Sequence, residues 1–247
     1  MSAETRSVKK ILTVFFCGAA LAAGAVDPVL RFPLDDGEGP CLKSDRSGVA
    51  GQIINPEGVR WVAGRDRGVK ALAFSGKTEA KHRFPCAELP LEGIVDFTKP
   101  FTLTLWFNVS RDQARIQQAE ILGSVRSERG PGFRLVFGWN SLSFRTGDGK
   151  AVISAASRAS VDPVERDVWN HCAVTWDGEG TGILYLNGVK VSEQKEFRIL
   201  AAAPTLSLGS YRKGYAHGFN GALSDLRIFD RVLTPAEVLA ISRDMEE

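Results

Sequence analysis

Phe219–Ser242 reads FNGALSDLRIFDRVLTPAEVLAIS, and this stretch decides the fold. Leu226, Ile228 and Phe229 lie in a β-type run. A short helix follows with its start signals in place. Thr234 is the cap, Pro235 suits the first helical position, and Glu237 completes a Thr-x-x-Glu capping box. A single strand closed by a capped helical turn is the tail of a chain that otherwise spells strands.

Upstream, strand-like runs recur at short intervals, separated by Gly, Asn, Asp and Pro. They are Val29–Leu34, Val69–Phe74, Phe101–Val109, Glu120–Val125, Phe133–Trp139, Leu142–Phe144, Trp169–Trp176, Ile183–Leu186, Val189–Glu193, Thr205–Gly209 and Ala222–Phe229. In one of them Phe101, Leu103, Leu105 and Phe107 share a face opposite Thr102, Thr104 and Trp106. Asn187-Gly188 is a two-residue hairpin signal, because both positions favour positive φ. Evenly spaced strands without alternating helices predict an all-β antiparallel sandwich, a jelly roll with one short C-terminal helix. Trp61, Trp169 and Trp176 are the expected filling between its sheets.

The first 25 residues carry a different message. Arg6, Lys9 and Lys10 precede the apolar run Ile11–Leu21, and Ala23-Gly24-Ala25 fits a small-x-small cleavage site. This predicts a secretory signal peptide, too short for a membrane span, followed by one domain over 26–247. Its removal takes three basic and one acidic residue from totals of 31 and 29, leaving 28 of each. A neutral chain without a basic stripe argues against nucleic-acid binding. Export permits disulfides. Cys172 alternates with Val174 and reads as a buried thiol, which leaves Cys41 and Cys86 as the candidate bridge, a connectivity that spacing alone does not decide.

Several motifs in order resemble the laminin-G-like, concanavalin A-like lectin-glucanase jelly rolls. They are Phe32-Pro33-Leu34-Asp35-Asp36, Asp45-Arg46-Ser47-Gly48, Trp61 with Gly64 and Gly68–Phe74, Phe101–Trp106, Trp169–Thr175, and Leu184-Tyr185-Leu186-Asn187-Gly188. The resemblance implies the sandwich fold and, for most members, binding rather than cutting. It also implies a structural calcium near the Asp-x-Ser-Gly loop and the last strand, with Asp45 and Asp225 as ligands.

Catalytic patterns are missing. Glycoside hydrolysis needs two carboxylates facing each other across the scissile bond, and no strand carries the Glu-x-Asp-x-x-Glu pattern. Glu165 and Asp167 flank a turn-like stretch at Pro163. Of the three histidines, His82, His171 and His217, none has a triad-like neighbour. A ligand face should combine aromatic platforms with charged groups. Tyr211, Arg212, Lys213, Tyr215 and His217 occupy one loop; Arg111, Arg115, Arg126 and Arg129 occupy another. Gathered at one rim, Tyr211, Arg212, Tyr215, His217, Arg126 and Arg129 would suit an acidic or sulfated glycan. The expected function is a secreted non-catalytic module binding extracellular glycan. The rivals are a protein-binding adhesion module at a cell surface and a polysaccharide hydrolase or lyase with an unrecognised site.

Overall fold

The computed structural model describes residues 26–45, 48–78, 83–114 and 118–244. Residues 1–25, Arg46, Ser47, His82 and Arg115 therefore lie outside the described residues. Two antiparallel sheets stack face to face, as the alternating pattern requires. The first runs β14 (Val189–Lys195), β13 (Thr181–Leu186), β12 (Trp169–Trp176), β7 (Phe101–Val109), β16 (Asn220–Phe229), β5 (Lys70–Ser75) and β4 (Val59–Ala63), with β1 (Leu30–Phe32) also on β16. The second runs β11 (Val152–Ala156), β10 (Ser141–Gly147), β9 (Gly132–Gly138), β8 (Ala119–Val125), β15 (Thr205–Leu208), β6 (Cys86–Pro90), β3 (Ala50–Asn55) and β2 (Cys41–Lys43).

Strand β16 serves two neighbours on one edge. Its first half pairs with β5 and its second with β1, and Asp225 sits at the changeover with φ 50° in an irregularity of the β7 register. A bulge there bends the strand and re-aims the side chains after it. Asn187 and Gly188 turn β13 into β14 with φ 50° and 80°, as their pairing predicts. The β9–β10 turn falls on Trp139 and Asn140, both left-handed, so the strand ends one residue before the run Phe133–Trp139 does.

The helix α1 (Pro235–Ile241) carries both bonds of the expected capping box: Glu237 N–H donates to Thr234 Oγ1 at 3.3 Å, and Thr234 N–H donates to Glu237 Oε2 at 2.7 Å. Its Val238 and Ile241 pack with Leu233, Phe229, Ala173 and Tyr185 on the outer face of the first sheet.

Phenylalanine, not tryptophan, fills the seam between sheets. Phe97, Phe101, Phe133, Phe144 and Phe197 form a chain of ring contacts at 4.6–6.0 Å between centroids. Trp176 joins this core, but Trp61 and Trp169 are only half-buried. The expectation of a tryptophan-sealed interior is corrected in part: Trp61 packs against the core from its margin, and Trp169 is the first residue of its strand. Among the described residues no helix is long and apolar enough to cross a membrane.

Phe144 touches Phe133 and Phe197 from the second sheet side of the seam. Phe144→Ala should lower unfolding stability by about 3–5 kcal/mol, read from urea midpoints, because a fully buried ring leaves a cavity.

Candidate functional site

Alternation that points apolar side chains inward leaves a polar row on the outer face of the second sheet. Gln52 lies opposite Glu88, Glu88 opposite Ser207, Ser207 opposite Gly123, Gly123 opposite Arg134, and Arg134 opposite Arg145. Six strands thus set these six residues side by side. The loop 210–218 is pinned over the row. Tyr211 N–H donates to Ala216 O at 2.9 Å, Phe84 N–H donates to Gly214 O at 2.9 Å, and Glu120 N–H donates to His217 O at 2.8 Å. Asn55 Nδ2 ties the loop to β3 by donating to Lys213 O at 2.9 Å and to Phe84 O at 3.1 Å.

This arrangement opens a groove of about 1020 Å³. Tyr215 stands on its wall, 69% exposed, with the Arg83 guanidinium 5.7 Å from its ring centre. Among the described residues, Arg83, Arg126, Arg212 and Lys213 line the groove against one carboxylate, Glu88, which lies 3.7 Å from Lys213 Nζ. Thr205, Ser207 and Asn55 supply neutral polar groups. An aromatic platform, hydrogen-bonding side chains and excess positive charge in an open trough suit a hydroxyl-rich ligand that carries acid groups.

The predicted ligand residues divide. Tyr215, Arg212 and Arg126 meet in the groove. Arg129 lines a smaller pocket beside it. Tyr211 and His217 are not platforms. Tyr211 is buried between the guanidiniums of Arg134 and Arg212, at 4.9 and 5.8 Å, and His217 packs edge-on to it. Burial, then the nearby charge of Arg134, holds the His217 ring below its ordinary pKa, with Glu128 opposing. Arg111 lies elsewhere, paired with Asp167. Sequence reading passed over Asn55, Arg83, Glu88, Arg134 and Arg145. The signal for the last two was present: Arg134 and Arg145 occupy the outward phase of strands whose inward phase is Phe133-Leu135 and Leu142-Phe144.

Between the row and the 210–218 loop, Glu120 is fully buried and accepts from Arg134 Nε at 2.5 Å. Its other oxygen, Oε1, has no hydrogen-bond partner among the described residues and occupies the space over Gly123, where any Cβ would collide with it. Burial pushes the Glu120 carboxyl up to about 7, against the charge and hydrogen bond of Arg134.

Asp45 and Asp225 are brought together, but by an arginine. Arg31 Nε donates to Asp225 Oδ1 at 2.6 Å, and Arg31 Nη1 lies 3.4 Å from Asp45 Oδ2. Arg227 adds a second guanidinium to Asp225, its Nη2 2.7 Å from Oδ2. Burial alone would raise the Asp225 carboxyl, but Arg227 and Arg31 hold it below its ordinary range. Two guanidiniums already supply the positive charge a calcium would bring. Among the described residues no group of three His, Cys, Asp or Glu side chains gathers as a metal shell. Calcium takes six to eight oxygens, and the described donors do not by themselves make up that shell. His171, near Asp225, is buried and its two ring nitrogens have no partner among the described residues; burial depresses it to about 3, so it stays neutral.

The Cys41–Cys86 bridge is corrected: both are free thiols. Cys41 lies opposite Gln52, and β3 stands between β2 and β6. Two strand spacings of about 4.8 Å place the outer backbones about 10 Å apart, beyond the Cα separation a disulfide spans. Cys172 is buried, as its alternation predicts.

A two-sheet jelly roll with a polar trough across one sheet defines a lectin-like fold. The chain belongs to the concanavalin A-like lectin/glucanases superfamily, whose model matches residues 86–239. Mouse (Mus musculus) serum amyloid P-component is 36% identical over 85 residues, covering 30% of this chain and 37% of that protein. Among solved structures, domain 4 of AbnA, an extracellular arabinanase from Geobacillus stearothermophilus in complex with arabinotriose, aligns over 87% of this chain and 98% of its own, with TM-score 0.66 and 20% identity. The binding domain of botulinum neurotoxin serotype G aligns over 87% of this chain and 50% of its own, with TM-score 0.66 and 13% identity. At these identities the structural likeness speaks for the fold alone.

Two measurements follow from this geometry. Melting midpoints in calcium and in chelator should coincide, because Arg31 and Arg227 already hold the Asp225 carboxylate and a ligand raises stability only where the folded state binds it; a rise of several degrees with calcium would restore Asp45 and Asp225 as its ligands. Glu120 binds its proton more tightly in the folded than in the unfolded chain. Its contribution to stability is therefore full below about 4.5 and lost as pH rises through about 7. Between pH 5 and 8 the native sequence should lose stability relative to Glu120→Gln in urea unfolding; the opposite slope would mean that Arg134 keeps the carboxylate charged throughout.

Proposed function

We propose that the chain is an exported, non-catalytic module that recognises extracellular carbohydrate along the groove of the second sheet. The observation that carries this reading is Tyr215, a largely exposed aromatic ring on the wall of a polar, cation-rich trough. Sugars present a hydroxyl rim and an apolar C–H face, and a ring beside hydrogen-bonding side chains complements both. The arabinotriose held by the domain of the Geobacillus arabinanase, which shares this architecture, supports the ligand class. The N-terminal pattern of Arg6, Lys9, Lys10 and the following apolar run supports export.

The groove lining supports binding without cleavage. Among the described residues it contains one carboxylate, Glu88, while Glu120 is buried beneath the 210–218 loop and paired with Arg134. A hydrolytic pair needs both acids open to the scissile bond.

The mature protein on a broad polysaccharide array should retain at least one class of glycan. Tyr215→Ala should weaken that binding about tenfold, equal to about 1.4 kcal/mol, while leaving the melting midpoint unchanged because the ring is outside the core. Absence of binding to any polysaccharide would overturn the reading. A protein partner resistant to competing sugar would favour adhesion, and release of reducing ends or unsaturated sugars would favour an enzyme.

A further inference from the structure

Arg134 and Arg145 stand directly opposite each other on β9 and β10. Like charges in that position repel, and both are withdrawn from water, Arg134 being 5% exposed and Arg145 half-buried. One carboxylate answers the pair: Glu120, on Arg134. The hydrogen bonds of Arg145 go to neutral groups, with Nε donating to Ser143 Oγ at 2.8 Å and Nη1 to Gln118 Oε1 at 3.0 Å. Burial first, then the charge of Arg134, destabilises the Arg145 cation, and Glu120 only partly opposes this.

Beside these two arginines lies a pocket of about 260 Å³, whose third guanidinium is Arg129. Its walls include Gly130, Gly132 and Gly147. A Cβ at Gly130 would strike Gly147 O, and one at Gly147 would strike Arg129 O, so backbone rather than side chain closes that side. The acidic lining residue, Glu128, is 67% exposed and lies 3.5 Å from His217 Nε2. Among the described residues, three guanidiniums face Glu128 and Glu120, so positive charge is in excess there. Sites that enclose whole drug-sized ligands occupy about 300–1,000 Å³, so this pocket suits a charged substituent rather than a chain. Val125 lines both the pocket and the large groove, which places the two side by side.

We propose that this pocket receives one carboxylate or sulfate group of an acidic polysaccharide whose chain lies along the adjoining groove. The anion would bridge Arg129 and Arg145 through forked guanidinium bonds and supply the negative charge that the opposed arginines lack. This rests on the glycan reading above and narrows it to acidic chains.

Isothermal titration with matched polymers tests it. Polygalacturonate against its methyl ester reports on carboxylate, and dextran sulfate against dextran reports on sulfate. In at least one pair the charged member should bind tenfold or more tighter, and Arg145→Gln should erase that preference. Arg158→Gln, an exposed arginine outside both cavities, should leave it intact. If Arg145→Gln does not fold, the exposed Arg129→Gln gives the same readout. Equal binding within both pairs, or a preference that survives both variants, overturns the anion pocket. If only neutral polysaccharides bind, with an affinity that depends on Tyr215, the pocket is lost and the glycan reading stands. If no polysaccharide binds, both fall.

Discussion

Phe97, Phe101, Phe133, Phe144 and Phe197 meet between the sheets in ring contacts of 4.6–6.0 Å. Every other feature depends on that seam. Two sheets bury one face each, so each strand must alternate, and a one-residue slip would turn its apolar set outward. The seam therefore dictates register, and register dictates which polar residues become neighbours outside. The row Gln52, Glu88, Ser207, Gly123, Arg134, Arg145 is the external consequence of internal packing.

That outer row carries electrostatic tension. Two arginines face each other across β9 and β10, and a carboxylate is buried beside them, ion-paired with Arg134. Low local dielectric strengthens each of these interactions and raises the penalty for any group left unmatched. Gly123 matters because a side chain there would displace Glu120 Oε1. On the opposite sheet Arg31 and Arg227 are answered by Asp45, Asp225 and Asp244, which separates a structural ion-pair cluster from a face with positive charge to spare.

Much of the fold was legible from short-range pattern. The Thr234–Glu237 box, the Asn187-Gly188 turn and the alternation in β7 depend on residues close in the chain. Strands β2, β3, β4, β6 and β11 escaped notice as strands because they are short or edge-like and their alternation is broken by Gly, Pro or polar residues. The loop residues Arg126, Arg212 and Tyr215 could be named as candidates, since exposed aromatic and basic side chains in a polar loop are conspicuous. Tyr211 could not be told apart from Tyr215, because which ring turns inward depends on Arg134, a residue 77 positions earlier.

By itself, then, the amino-acid order determined an antiparallel sandwich, its terminal helix and the two loops that border the groove, because periodicity, capping and turn chemistry act over a few residues. Only the tertiary structure decided that Asp45 and Asp225 share an arginine, that Cys41 and Cys86 stand two strands apart, and that Arg134 opposes Arg145 beside a pocket. Those relations join strands distant in the chain, and their distances are set by sheet order and stacking, which local pattern does not encode.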